Sequence, residues 1–291
     1  MAHVLAVINL KGGVGKTTTT VALADMLAGI HNKRVLVIDL DPQTNATVML
    51  MGEAAWLERN RRGGTIASLF RRAVQPTAPP FDLARAIHTG ASDVEVARKI
   101  DLLPSSLDLI DLQDRLVTTA AGRMGVATPM DVLHRVLHRR LDAYDIVLID
   151  CPPNLGLITL NGLRIARHYL IPTIPDVLST YGIAQITQRV GDFARRTGEP
   201  IAPLGVVVTK WRSASRVHQQ TLERLRAEAA SGEGPPVFAT IIPDSNDLAA
   251  AAEFSVEKRS LAQKYKKGRE PYSDLAIEVL AALGRAPRAG A

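Results

Sequence analysis

The octapeptide Lys11 to Thr18 reads KGGVGKTT, and its setting constrains the fold more than any other feature of the chain. Before it lies a short apolar run, His3 to Asn9 (HVLAVIN), that reads as a buried strand. After it, from Thr17 to Ala28, residues Val21, Leu23, Ala24, Leu27 and Ala28 can share one helical face. Strand, glycine-rich turn and helix in that order form the context of a phosphate-binding loop. Gly12, Gly13 and Gly15 let the backbone curl around Val14, so that successive N–H groups point at phosphate oxygens. The helix adds the positive end of its dipole. Lys16 can reach the β- and γ-phosphates, the Thr17 hydroxyl can bind Mg²⁺, and Thr18 completes the motif.

The rest of the chain repeats this alternation. Arg34 to Leu40 and Tyr144 to Cys151 read as further buried strands. So do His168 to Pro172, Leu204 to Thr209 and Val237 to Ile242. Helical patterns lie between them, for example Met130 to Leu141 and Val217 to Ala230. Such alternation predicts an α/β fold, one domain with a mostly parallel twisted sheet and helices on both faces. Gln75 to Phe81 (QPTAPPF) and Ser231 to Pro236 (SGEGPP) are loops, and neither divides regions of different composition. The domain is expected over residues 1–283, with 284–291 a disordered tail.

Composition narrows the class. A single cysteine, Cys151, allows no intramolecular disulfide, no cysteine-based zinc site and no four-thiolate cluster. No apolar run approaches the ~20 residues of a membrane span, and no signal peptide precedes His3. A cytoplasmic setting is the expectation. The net charge of +6 suits an anionic partner, and equally suits an ordinary solvated surface.

Two further segments end strands with carboxylates. Asp39 and Asp41 lie in DLDPQTNAT, where α/β folds bind ligands. By itself that segment also reads as an Asp-Pro turn. Asp150 ends IVLID, a Walker B pattern, and should hold Mg²⁺ directly or through water.

The phosphate loop is not the ordinary form, since Leu10 stands where its first glycine belongs and Lys11 precedes the glycine pair. Here the chain resembles the ParA/MinD group of P-loop ATPases, whose deviant loop reads K-G-G-x-G-K-[ST]-[ST]. The resemblance implies that Lys11 acts in trans, on the phosphates of a partner in a nucleotide-sandwich dimer, while Lys16 acts in cis. It implies that Asp39 lies on the magnesium side of the site and that Asp41 positions the attacking water. Lys11, Lys16 and Asp41 are then the catalytic set, and Thr17, Asp39 and Asp150 the metal set. Thr44 departs from the family's glycine in this segment. Cys151-Pro152-Pro153 matches the family's D-C-P-P turn and gives Cys151 no catalytic role. Thr209-Lys210-Trp211-Arg212 stands where GTPases carry N-K-x-D, and its missing carboxylate favours adenine. Ile242-Pro243 resembles the family's I-P turn, which packs on the base.

The resemblance covers nearly the whole chain. Leu102 to Leu109 and Tyr265 to Leu280 resemble segments of partition ATPases and favour a ParA-type, Soj-like member, with the loop too near residue 1 for a preceding helix-turn-helix domain. The implied function is an ATP-dependent homodimeric partition ATPase on nonspecific double-stranded DNA, nucleoid-associated and stimulated by a ParB-like partner. Alternatives are a P-loop metabolic enzyme and a MinD-like membrane-positioning ATPase. Val256 to Glu270 carries six basic residues against two acidic ones. From it Lys258, Arg259, Lys264, Lys266 and Lys267 are candidate DNA contacts, with Arg212 and Arg216 from another loop. The same run also reads as a solvated helix face. Asp244 and Asp247 replace arginines that contact DNA in relatives, which shifts or weakens the expected DNA surface.

Overall fold

A computed structural model of the chain describes residues 2–122, 128–256 and 259–285. Among these, seven strands form one sheet: β1 (His3–Val7), β2 (Val35–Asp39), β3 (Ile100–Leu103), β4 (Ile146–Asp150), β5 (His168–Thr173), β6 (Ala202–Trp211) and β7 (Val237–Pro243). Neighbouring strands are parallel, in the order β3-β2-β4-β1-β5-β6-β7. The first helices are α1 (Lys16–Gly29), α2 (Asn45–Met51), α3 (Glu53–Arg61), α4 (Ile66–Val74) and α5 (Leu83–Ala86). Then come α6 (Leu109–Gly122), α7 (Val132–Leu137), α8 (Leu157–Ile165) and α9 (Val177–Thr197). The last are α10 (Arg216–Ser231), α11 (Asn246–Ala250), α12 (Leu261–Tyr265) and α13 (Arg269–Arg285).

Both faces of the sheet are buried, which is why the central strands read as unbroken apolar runs. Leu5, Val35, Val37, Ile146 and Leu148 join one core with residues of α1, α2, α12 and α13. Their chain neighbours Val4, Ala6, Leu36, Ile38, Val147 and Ile149 join the other, with residues of α4 and α6 to α9. The α/β expectation holds. Helix α1 is more enclosed than one apolar face suggests, since Thr19, Thr20 and Asp25 are buried with its leucines. The expected helix over 130–141 is shorter. Leu133 and Leu137 fill the core, and the chain then unwinds into a 3₁₀ turn that also buries Leu141. Helix α13 runs through Arg285, into the stretch expected as tail, and residues 286–291 lie outside the described residues.

One buried ionic cluster joins the phosphate-loop helix to the C-terminal segment. Lys264 Nζ donates to Asp25 Oδ2 at 2.8 Å and Asp93 Oδ1 at 2.7 Å, and all three side chains are fully shielded. Tyr265 Oη and Ser92 Oγ also donate to Asp25, at 2.6 and 2.8 Å. Lys264 was expected on a DNA-facing surface. The structure corrects this: its ammonium lies inside the molecule and cannot meet a phosphate. Burial alone would lower its pKa, but Asp25 and Asp93 overcome that and raise it. Its contribution is therefore fully present at neutral pH and is lost only as pH rises through the raised folded-state value. Lys264→Ala leaves two carboxylates facing each other without a cation, so urea denaturation near pH 7 should show a loss of roughly 3–5 kcal/mol.

Candidate functional site

Register places the site. Val7 pairs with Asp150 on one side of β4, and Asp39 pairs with Asp150 on the other. The carboxyl ends of β1, β4 and β2 are thus adjacent, and each delivers one sequence-expected component. Adjacent parallel strands lie ~4.8 Å apart, so two carboxylates share one buried edge.

After β1 the chain forms the loop. Gly13 (φ 74°) and Gly15 (φ 82°) take the left-handed conformation that a side chain would resist, and Gly15 starts α1. A Cβ at Gly12 or Gly13 would meet nothing within 4 Å, so that side of the loop is open. Val14 is buried, and its carbonyl accepts from Thr209 Oγ1 at 2.8 Å, which fixes the loop against β6. Asn9 pins it from below, accepting from the Lys11 N–H at 2.9 Å and donating to the Pro172 carbonyl at 2.8 Å.

The two loop lysines part company. Lys16 is buried, and its Nζ donates to the Lys11 carbonyl at 3.2 Å, across the curl. Desolvation lowers its pKa, opposed by Asp150 and Asp41. Lys11 stands on the rim, where its Nζ is ion-paired with Asp176. Asp176 also caps α9, accepting from Ser179 N at 2.9 Å and Ser179 Oγ at 2.7 Å. Burial would raise the Asp176 carboxyl, but Lys11 and Ser179 hold it below the usual carboxylate range.

Asp150 accepts from Thr17 Oγ1 at 2.8 Å and Thr20 Oγ1 at 3.1 Å. Burial, then the nearby Asp41 charge, push it up to about 7. Asp39 is raised too, by burial and by Asp150, although Thr47 N (2.9 Å), Thr47 Oγ1 (2.7 Å) and Asp41 N (3.0 Å) all donate to it. Crowded, desolvated carboxylates beside a threonine hydroxyl are a donor set for a hard divalent cation. The open loop with its buried lysine is a cradle for phosphate oxygens. The residues present therefore fit a phosphate chain and its metal. Cys151 is buried, its thiol pushed up by desolvation and by Asp150, which leaves it inert.

The Asp41 loop depends on Thr47 and Ser105, which lie within the matched segments with no role assigned to them there. Ser105 Oγ donates to the Asp41 carbonyl at 2.7 Å, and Ser105 N donates to Thr47 Oγ1 at 2.9 Å. Ser105 follows β3, a short strand absent from the pattern reading because Asp101 interrupts its apolar run. Thr18 lies half-buried in the first turn of α1, as the motif expects. Pro243 ends β7 and pairs in register with Trp211, two residues past Thr209.

The basic candidates are divided. Arg216 and Lys267 are exposed. Arg212 places Nε and Nη2 on Asp244 Oδ2, each at 2.8 Å, and Lys266 faces Asp247 at 3.4 Å. Asp244 and Asp247, which stand where the resemblance implies arginines, are thus ion-paired with two of the expected DNA contacts. Arg259 is half-buried and donates to the Glu253 carbonyl at 3.4 Å, while Lys258 lies outside the described residues.

A phosphate loop between the central strand and its helix, flanked by carboxylates on the neighbouring strand ends, defines a P-loop nucleoside triphosphatase. The AAA domain family model matches residues 2–202. The sporulation initiation inhibitor protein Soj of Bacillus subtilis is 30% identical over 281 residues, covering 97% of this chain and 99% of that protein. The chromosome-partitioning ATPase Soj of Thermus thermophilus is 32% identical over 284 residues and covers 97% of each. Among solved structures, cobyrinic acid a,c-diamide synthase of Mycobacterium smegmatis, with bound ADP and magnesium, is similar at TM-score 0.72 and 27% identity, covering 98% of this chain and 96% of that one. The chain belongs to the AAA domain family, within its Soj/ParA group of P-loop ATPases.

Thr44, which departs from the glycine that the family resemblance implies, takes φ 58° and precedes α2. A β-branched residue there is strained by about 1–2 kcal/mol, of which a glycine's extra unfolded-state entropy returns part. Thr44→Gly should therefore stabilise the fold by about 0.5–1 kcal/mol, read as a higher urea midpoint at unchanged slope. A lower midpoint would mean that the side chain compensates its own backbone.

Proposed function

We propose that the chain is an ATP-dependent DNA-partition switch. The observation that carries this reading is the division of labour between Lys16, buried in the cradle, and Lys11, held on its rim by Asp176. A rim cation is available to a phosphate chain that a second subunit brings to it. Lys16 neutralises the β- and γ-phosphates in cis. Thr17 and Asp150 hold the cation, Asp39 braces the Asp41 loop, and Asp41 orients the attacking water. Mg²⁺, if bound there, would supply positive charge against the charge that develops on the phosphate chain. Lys11 of one subunit supplies to the other the charge that an arginine finger supplies elsewhere. Val177, Leu178 and Tyr181, all exposed on the first turn of α9 beside Asp176, offer apolar surface for that contact. Pro243 packs on adenine.

The dimer binds DNA nonspecifically through Arg216, Lys258 and Lys267, joined by Arg212, Arg259 and Lys266 where their neighbours release them. A ParB-like partner stimulates slow hydrolysis, and the protein works in the cytoplasm on the nucleoid. The names of the Bacillus and Thermus relatives support this reading. The name of the Mycobacterium smegmatis neighbour favours a second one, ATP-driven activation of a small molecule. Turnover dependent on such a substrate, and indifferent to DNA, would select it.

Lys16→Ala should abolish tight ATP binding in calorimetry. Lys11→Ala should keep ATP bound yet lose both turnover and the dimer seen by ultracentrifugation with a non-hydrolysable analogue. Asp41→Ala should keep that dimer and lose turnover. A Lys11→Ala dimer as strong as the parent's would remove the trans role.

The DNA reading has its own test. Binding to unrelated duplexes should need ATP and fall steeply with salt, with a log–log slope of about −0.9 per phosphate neutralised. Lys267→Glu should weaken it. Asp247→Asn, by releasing Lys266, should strengthen it and steepen the slope by roughly one unit. Equal gel shifts without nucleotide, or an Asp247→Asn variant that binds less well, would count against this surface.

A further inference from the structure

Away from the phosphate loop lies a cavity of about 560 Å³, walled by α3, α4, α5 and the Pro-rich turn between α4 and α5. None of its lining residues belongs to the site described above. A volume of this order is that of a small-molecule site. Four guanidinium groups border it, those of Arg59, Arg62, Arg71 and Arg85, against the carboxylates of Glu58 and Asp82. Its apolar surface comes from Met51, Ala55, Pro79, Pro80 and Phe81.

The walls are built rather than incidental. Arg59 donates to the carbonyls of Arg85 at 2.6 Å and Ala86 at 3.2 Å, and meets His88 Nδ1 at 3.3 Å. A guanidinium can only donate, so Nδ1 accepts and the neutral ring carries its proton on Nε2. Burial, then the Arg59 charge, lower the His88 pKa and keep it neutral. His88 also lines the cavity. Arg72 donates to the carbonyls of Pro76 and, at 2.7 Å, Ala78, which ties down the Pro-rich turn. Arg71 is paired with Asp108, and Arg62 pairs with Glu58 at 2.7 Å on an open helix face. Among the described residues, no acid or carbonyl engages the Arg85 guanidinium.

Donors outnumber acceptors around an apolar floor, and one cation stands without a partner. We propose that this cavity binds a small organic anion, a carboxylate or phosphate on an apolar body, with its head at Arg85 and Arg62 and its body against Phe81 and the prolines. The ligand is not the substrate of the phosphate-loop chemistry. Met51 in the cavity wall ends α2, whose seven residues span ~10 Å from the Asp41 loop. An occupant there would bear on α2, and so on the segment that carries Asp41.

The test is a fluorescence titration of the full chain with 8-anilinonaphthalene-1-sulfonate, an anion on fused apolar rings. Saturable binding at one site per chain is expected. Arg85→Glu should weaken it about tenfold and Arg85→Gln by less, since one charge-assisted contact is reversed or removed. Arg85 is exposed, so both variants should match the parent in circular dichroism. Leu178→Ser and Tyr181→Ser, on the exposed turn of α9, should leave binding unchanged. Displacement by hexanoate or by hexyl phosphate supports the site and identifies its preferred head group. Dye binding indifferent to Arg85→Glu, lost with Tyr181→Ser, or displaced by neither competitor would overturn the proposal.

Discussion

Asp39 and Asp150 are register partners on adjacent strands, and neither side chain meets solvent. Putting two carboxylates side by side in a dry interior is unfavourable unless each is hydrogen-bonded and the pair is given a cation. The rest of the architecture answers that demand. Helix α1 must start where it does, because Thr17 and Thr20 lie one turn apart and supply both hydroxyls that Asp150 accepts. The segment after β2 must curl back, because Thr47 supplies the N–H and hydroxyl that Asp39 accepts. Segment 104–106 must follow β3 closely, because Ser105 braces both Thr47 and the Asp41 carbonyl. What remains unanswered within the protein is charge. Burial, and then the charge of a neighbouring carboxylate, raise the pKa values of both Asp39 and Asp150, and Lys16 offsets part of this at Asp150.

Much of this was legible in the sequence, for a reason particular to it. Phosphate binding by backbone N–H groups requires glycines at fixed places, and KGGVGKTT records them. The buried central strands appear as apolar runs that no surface segment would carry. The carboxylates at strand ends were legible through their flanking motifs. The braces were not. Thr47 and Ser105 lie inside matched segments, but their bracing role, like that of Asp176, comes only from tertiary pairing. Asp176 lies 165 positions from Lys11, so nothing local links them. Charge clusters were the least legible. A run of six basic residues reads as one surface, yet the backbone turns Lys264 inward while Lys266, Lys267 and Arg269 are exposed. Residue type does not record that turn.

Burial also decides which cations can do anything beyond holding the fold. Lys264 is fully shielded between two carboxylates, and extracting it would strand them both. Lys11, Arg212 and Lys266 are held as well, but their side chains are 40%, 71% and 60% exposed. Ion pairs in such settings are worth ~0.2–1 kcal/mol. A charge-assisted hydrogen bond to a well-placed phosphate oxygen is worth ~1.5–3 kcal/mol. On the function proposed above, these exposed pairs would hold each cation at a defined place without preventing its transfer to a phosphate oxygen. On that reading Asp176, Asp244 and Asp247 would act as rests for cations between encounters. The same pairing lowers the net positive charge these cations present, so the proposed binding to DNA would depend more on an association of subunits that doubles the basic surface.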